Sequence, residues 1–156
     1  MNVELRPFSS ENQDFLFQLY ASTRIHEIAP FGWSPPQQEA FLRVQFNAQQ
    51  GWYRQAYPQA DHQIIFAEDQ PIGRILVAQE EDSTRLVDIA LLPEYRGYGI
   101  GTQLIGQLIE QAAKAGSVVR LSVLRTNPAI HLYQRLGFVK TSEDQMYYQM
   151  ERASGK

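Results

Sequence analysis

Arg96-Gly97-Tyr98-Gly99-Ile100-Gly101-Thr102 lies between an apolar, strand-like run and a strongly periodic helix, and its reading organises the rest of the chain. Before it, Leu86-Val87-Asp88-Ile89-Ala90-Leu91-Leu92 reads as a mostly buried strand, stopped at Pro93, which has no amide to give a ladder. After it, Gly101, Leu104, Ile105, Leu108, Ile109 and Ala112 recur at helical spacing, with Gly116 as the expected C-terminal cap. Glycines at the head of a helix let a ligand approach the unpaired amides of its first turn, where the macrodipole adds partial positive charge. The expected ligand is a phosphate, and a pyrophosphate suits the geometry.

Two common phosphate loops do not fit. A Walker A loop needs Lys-Ser or Lys-Thr after its last glycine, whereas Gly101 is followed by Thr102 and Gln103. A dinucleotide fingerprint of the form G-x-G-x-x-G needs glycine at position 102 and an acid about 20 residues further on. The segment instead matches Arg/Gln-x-x-Gly-x-Gly/Ala through Arg96, Gly99 and Gly101. Downstream, Asn127-Pro128-Ala129-Ile130-His131-Leu132-Tyr133-Gln134-Arg135-Leu136-Gly137-Phe138 matches Asn-x-x-Ala-x-x-x-Tyr-x-x-x-Gly-Phe. In this order the two motifs resemble the GNAT superfamily of acetyl-CoA-dependent N-acetyltransferases. The close resemblance covers residues 85 to 140, and the N-terminal half carries no comparable signature.

The resemblance implies one domain over residues 1–156, an α/β (α+β) fold with a mixed, mostly antiparallel central sheet of about seven strands flanked by helices. A parallel strand pair is expected around the glycine loop. It also implies acetyl-CoA as co-substrate, with Arg96, Gly97, Tyr98, Gly99, Ile100, Gly101 and Thr102 around its diphosphate. Ile89 would offer its amide to the thioester carbonyl, Ala90 and Leu91 would pair with the pantetheine arm, and Asn127 would contact the cofactor. Asn127 reads equally as a helix N-cap.

Tyr133 is the candidate general acid for the departing thiolate, its bland alternative being a core aromatic. The general base is less defined. Where the family often carries a glutamate, at the start of the central strand or in the strand after the loop helix, this chain has Arg85 and Ser122. Asp88 is the acid nearest the expected thioester, although strand alternation could turn it to the opposite face from Ile89. His26 and Glu27 read as solvated loop residues, and His131 as structural.

Composition narrows the classes of function. The 156 residues are 44% hydrophobic, enough for one compact domain with a core, and the formal net charge is −3. No basic footprint points to nucleic acid, and no Lys/Arg cluster points to an anionic membrane. The absence of cysteine removes disulfides, thiolate ligands and a covalent Cys intermediate, so direct transfer in a ternary complex is expected. No signal-peptide pattern opens the chain, and no apolar run approaches the roughly 18 residues of a membrane span, so a cytoplasmic location is expected. Glu80-Glu81-Asp82-Ser83 reads as a charged loop tip, and no metal is expected.

Elsewhere the patterns predict a strand at Val3 to Arg6 and a helix from a Ser10/Gln13 capping box to about Thr23. A loop is expected over Ile25 to Ser34, then a helix capped by Ser34 with Pro35 in its first turn, broken at Gly51 before a piece ending near Tyr57. Strands follow at His62 to Glu68, Ile72 to Gln79 and Val118 to Leu124, then a helix at Pro128 to Leu136 and two closing strands around Phe138-Val139 and Met146 to Met150. The aromatics Phe31, Trp33, Phe41, Phe46, Trp52, Tyr53 and Tyr57 could be core, homodimer contacts or a pocket. If a pocket, the acceptor is a small-molecule or peptide amine of partly apolar character. A second reading keeps the fold and drops the chemistry: a non-catalytic acyl-CoA sensor or regulatory module.

Overall fold

The computed structural model describes residues 1–153 and divides into two compact units, Met1–Ile75 with Ile89–Arg96, and Leu76–Asp88 with the described residues from Gly97 onward. In chain order the elements are β1 (Val3–Pro7), α1 (Gln13–Ile28), α2 (Pro35–Ala56), β2 (Asp61–Ala67), β3 (Gln70–Gln79), β4 (Ser83–Leu91), α3 (Ile100–Lys114), β5 (Val118–Leu124), α4 (Ala129–Arg135), β6 (Val139–Glu143) and β7 (Tyr147–Arg152). The strands form one seven-stranded sheet ordered β1-β2-β3-β4-β5-β7-β6. β4 and β5 run parallel, whereas β1/β2, β5/β7 and β6/β7 are antiparallel. The mixed sheet around a strand-helix-strand is the fold expected from the sequence.

In the first unit, Leu16, Phe17, Ile28, Leu42, Phe46 and Ile64 form a buried cluster. That packing explains why α1 continues past Thr23. Ile28 is buried in the cluster, and the helix is stopped only by a 3-10 turn at Ala29–Phe31 and by Gly32 at φ 72. The entry to α1 also differs from expectation. The capping pair is Ser9 with Asn12, one residue early, because a 3-10 turn at Ser10–Asn12 precedes the helix.

The second helix starts as expected, with Gln37 N–H donating to Ser34 Oγ (3.3 Å) and Ser34 N–H donating to Gln37 Oε1 (2.9 Å). It then runs through Gly51 without a break. Its later turns are anchored on β3: buried Arg74 donates to Gln49 and Gln50 Oε1 at 3.1 and 3.0 Å and lies over the Tyr53 ring. Tertiary contacts thus outweigh a glycine penalty of about 1 kcal/mol. That penalty can be recovered. A Cβ at Gly51 would meet only Arg54 Nη2 at 3.9 Å, and one at Gly106, inside α3, would meet nothing within 4 Å. Each of Gly51→Ala and Gly106→Ala is expected to stabilise the fold by about 0.5–1 kcal/mol, which a thermal melt reads as a rise of a few degrees.

The second unit holds α3 on five buried positions, Ile100, Leu104, Ile105, Leu108 and Ala112. Gly116 at φ 70 ends it, as expected. Ser117 N–H donates to Ala112 O and Gly116 N–H to Ala113 O, the paired bonds of a Schellman cap. β4 starts at Ser83 rather than Leu86, and Ser83 is buried beneath the charged turn instead of lying at its tip. The parallel ladder with β5 comprises Ser83–Val118, Thr84–Val119 and Arg85–Arg120, and the last four residues of β4, Asp88 to Leu91, are only half-buried.

Candidate active site

Gly97 and Gly99 are left-handed, with φ of 84 and 80, and a Cβ on either would meet nothing within 4 Å. Gly99 is the N-cap of α3, and the first helical bond runs from Gln103 N–H to Gly99 O at 3.0 Å. The amides of Ile100, Gly101 and Thr102 therefore face the helix end without an intrahelical acceptor. Buried Ile100 anchors this loop from below, while Tyr98 is exposed. An open, side-chain-free cradle of amides at the positive end of a 15-residue helix fits a diphosphate.

Tyr133 sits in α4, and the spacing to Gly137-Phe138 has a mechanical cause. Gly137, at φ 95, donates to Gln134 O at 3.0 Å, and Phe138 N–H donates to Tyr133 O at 3.0 Å. This is another Schellman cap, whose usual apolar contact is made here by the Tyr133 and Phe138 rings, 5.7 Å apart and edge to face. Arg152 Nε donates to Leu136 O at 2.9 Å and closes the same helix end. At the other end the N-cap is Pro128 rather than Asn127, and Asn127 Oδ1 accepts from Ala129 N–H at 2.9 Å in an Asx turn that leads into the helix.

The Tyr133 phenol is pushed up to about 12, first by burial and then by the Asp88 carboxylate. That influence brings Asp88 and Tyr133 into one neighbourhood. Such a phenol keeps its proton at any working pH but is a weak acid. Full transfer to a thiolate whose thiol ionises near 8.5 would be uphill by roughly 5 kcal/mol, so a phenol in this state is suited to donating a hydrogen bond to developing negative charge rather than to giving up its proton outright. The raised value has a stability consequence. Because the folded phenol titrates above its unfolded value of about 10, stability is intact below pH 10 and falls by roughly 3 kcal/mol as pH rises through 12. Alkaline denaturation monitored by circular dichroism should show this loss, and Tyr133→Phe should flatten it.

Arg85 and Ser122, at the two positions where the family often has a glutamate, meet each other. Arg85 Nη1 donates to Ser122 Oγ at 3.4 Å, Ser122 Oγ donates to Gln149 Oε1 at 2.6 Å, and Arg85 Nε pairs with Glu80 Oε2 at 3.0 Å. The two positions thus belong to one connected polar chain, Glu80–Arg85–Ser122–Gln149, in which the carboxylate is that of Glu80.

In the first unit, Ile89, Ala90 and Leu91 are half-buried at the end of β4, and Arg96 Nε donates to Leu91 O at 3.1 Å. Among the aromatics between residues 25 and 57, Phe46 is core, and Tyr53 lies against Arg74. Phe31, Trp33 and Phe41 instead form an outer cluster, with ring centroids 5.1 and 5.0 Å apart and Phe31 60% exposed. His26 and Glu27 are exposed on the last turn of α1 rather than in a loop, and His131 is exposed on α4. Among the described residues no group of three or more His, Cys, Asp or Glu is gathered for a metal, and no helix is long and apolar enough to cross a membrane.

The acetyltransferase (GNAT) domain family matches residues 60–140, just over half of the chain. The chain belongs to the GNAT family. The matched region contains the glycine loop, Tyr133 and the Gly137-Phe138 cap. Among curated relatives, the [ribosomal protein bS18]-alanine N-acetyltransferase of Haemophilus influenzae is 34% identical over 85 residues, covering 54% of this chain and 58% of that protein. Mouse thialysine N-epsilon-acetyltransferase is 44% identical over 62 residues, covering 38% of this chain and 36% of that protein. The chain thus spans little more than half the length of the first of these relatives and about a third of the second. The crystal structure of PaiA N-acetyltransferase from Thermoplasma acidophilum in complex with coenzyme A superposes with a TM-score of 0.75 at 23% identity, over 98% of this chain and 99% of that one. At that identity the likeness establishes the GNAT fold along nearly the whole chain.

Proposed function

We propose that this protein is an acetyl-CoA-dependent N-acetyltransferase that moves an acetyl group to a primary amine of a small molecule or peptide by direct transfer in a ternary complex. The observation that carries the reading is the pair Gly97 and Gly99, left-handed and open, at the head of α3. Acetyl-CoA supplies a thioester and a thiolate leaving group. Its diphosphate is assigned to the loop from Arg96 to Thr102, and its pantetheine arm to Ile89, Ala90 and Leu91, with a further contact at Asn127. Tyr133 donates its phenolic proton toward the departing sulfur. Asp88 is the candidate for taking a proton from the attacking amine, and burial, with the Asp88 charge adding to it, keeps the Tyr133 proton in place.

The acceptor is assigned to the cluster Phe31, Trp33 and Phe41, in which half-buried Trp33 lies between two exposed rings, and which suits an amine with an apolar part. The names of both curated relatives place the acetyl group on an amino nitrogen, in one case of a protein and in the other of a small molecule. One domain over residues 1–156 and a cytoplasmic setting belong to the same proposal, and a cysteine-free chain is compatible with both. The direct test incubates the protein with acetyl-CoA and a panel of peptide and small-molecule amines. Binding of CoA in native mass spectrometry with thiol release on one amine class is the expected result, and absence of CoA binding would overturn the reading.

The Arg85–Ser122 chain supports a second reading, a non-catalytic acyl-CoA sensor, since it stands where a carboxylate base is common in the family. CoA binding without thiol release on any amine is the outcome that favours it.

A further inference from the structure

Gly73, buried in β3 between Ile72 and Arg74, carries no motif, yet it is where a side chain would do most damage. A Cβ built there would lie 2.3 Å from the carbonyl oxygen of Ala90, 2.8 Å from Leu91 Cδ2 and 3.2 Å from Leu91 Cα. One position of β3 thus faces two consecutive residues of β4, and the Ala90 carbonyl fills the volume that a side chain at 73 would take. The strand register gives the same answer. Glu80 N–H donates to Ser83 O at one end of the hairpin and Leu92 N–H to Ile72 O at the other, so eight steps along β3 answer nine along β4. One extra residue in β4 is the signature of a β-bulge, which turns local backbone groups out of the ladder. Glycine opposite a bulge marks a close backbone approach.

We propose that Gly73 is a positioning residue for the acetyl donor: by leaving room for the Ala90 carbonyl, it allows the bulge that frees amide groups of Ile89 to Leu91 from the ladder for the pantetheine arm. This rests on the assignment of that arm to Ile89, Ala90 and Leu91. Any side chain at 73 has to push the β4 backbone by about an ångström, since Cβ–oxygen contacts of 2.3 Å do not persist. The diphosphate loop from Gly97 to Thr102 follows β4 in the chain and takes its shape from its own left-handed glycines. The two halves of coenzyme A should therefore respond differently to a change at 73.

The experiment compares Gly73→Ala with the unmodified protein by calorimetric titration with CoA and with 3′-phospho-ADP, the nucleotide half that lacks pantetheine. The expected result is CoA binding at least tenfold weaker in the variant, with 3′-phospho-ADP binding changed less than twofold. A general structural defect would weaken both in parallel, and that outcome overturns the proposal, as does CoA affinity within twofold of the unmodified protein. If Gly73→Ala does not fold, amide NMR of the unmodified protein decides. A shift of the Gly73 resonance with CoA and not with 3′-phospho-ADP supports the positioning role, and no shift with CoA overturns it. Unmodified protein that fails to bind CoA overturns the acetyl-donor assignment itself, an outcome separate from normal binding that the variant leaves untouched.

Discussion

Tyr133→Phe is expected to lower kcat about 10²–10³-fold with acetyl-CoA bound as tightly as before, the range of a positioned proton donor. The substitution removes one oxygen and keeps the ring. Tyr133 is 8% exposed and edge to face with Phe138, and its backbone carbonyl accepts the capping bond from Phe138, so the helix end is untouched. Because the phenol is pushed up to about 12, the unmodified enzyme should hold its rate on the alkaline side well past pH 9, without a limb from loss of this proton. Steady-state rates and a CoA titration on the same preparation check both parts. A variant turning over within threefold of the unmodified enzyme removes Tyr133 from the chemistry and leaves it as a core aromatic.

Gly99→Ala carries the second large effect. At φ 80 a side chain costs about 1–2 kcal/mol, because Cβ then crowds the following carbonyl. The protein itself offers no further obstacle, with nothing within 4 Å of the added atom, so the methyl group projects into the open space over the amides. Affinity for CoA is expected to fall at least tenfold, with a drop of several degrees in melting temperature. Gly101→Ala is the internal comparison: the residue is helical, and its Cβ would make an ordinary 3.8 Å contact with Leu132 Cδ2. It should bind CoA within twofold of the unmodified protein. Equal CoA affinity for Gly99→Ala and the unmodified protein would remove the loop from the diphosphate site.

The glycine turn at the head of α3 was legible because left-handed backbone is a local demand that glycine meets cheaply, and Gly97, Gly99, Gly116 and Gly137 all meet it. The phase of Tyr133 to Gly137-Phe138 was legible for the same kind of reason, since a Schellman cap fixes which residues three and five apart must bond. Gly73 sent no such signal. Its φ needs no glycine, and the reason for its identity lies in a carbonyl seventeen residues away in the chain.

Other misreadings have a common origin. Pro30 and Gly32 were a sound local reason to end α1 near Thr23, but burial of Ile28 in the first unit's core carries the helix five residues further. Gly51 was a sound local reason to break α2, and the contacts of Gln49, Gln50 and Tyr53 with Arg74 override it.

Sequence by itself determined the order of elements, the glycine-lined head of α3, its apolar face and the capped helix that carries Tyr133, because each depends on residues within a turn or two of one another. Only the tertiary structure decided the elevated Tyr133 phenol, the meeting of Arg85 with Ser122 and the close approach of Ala90 to Gly73. Desolvation, cross-strand hydrogen bonds and backbone clearance are set by neighbours distant in the chain, and residue spacing along one segment does not record them.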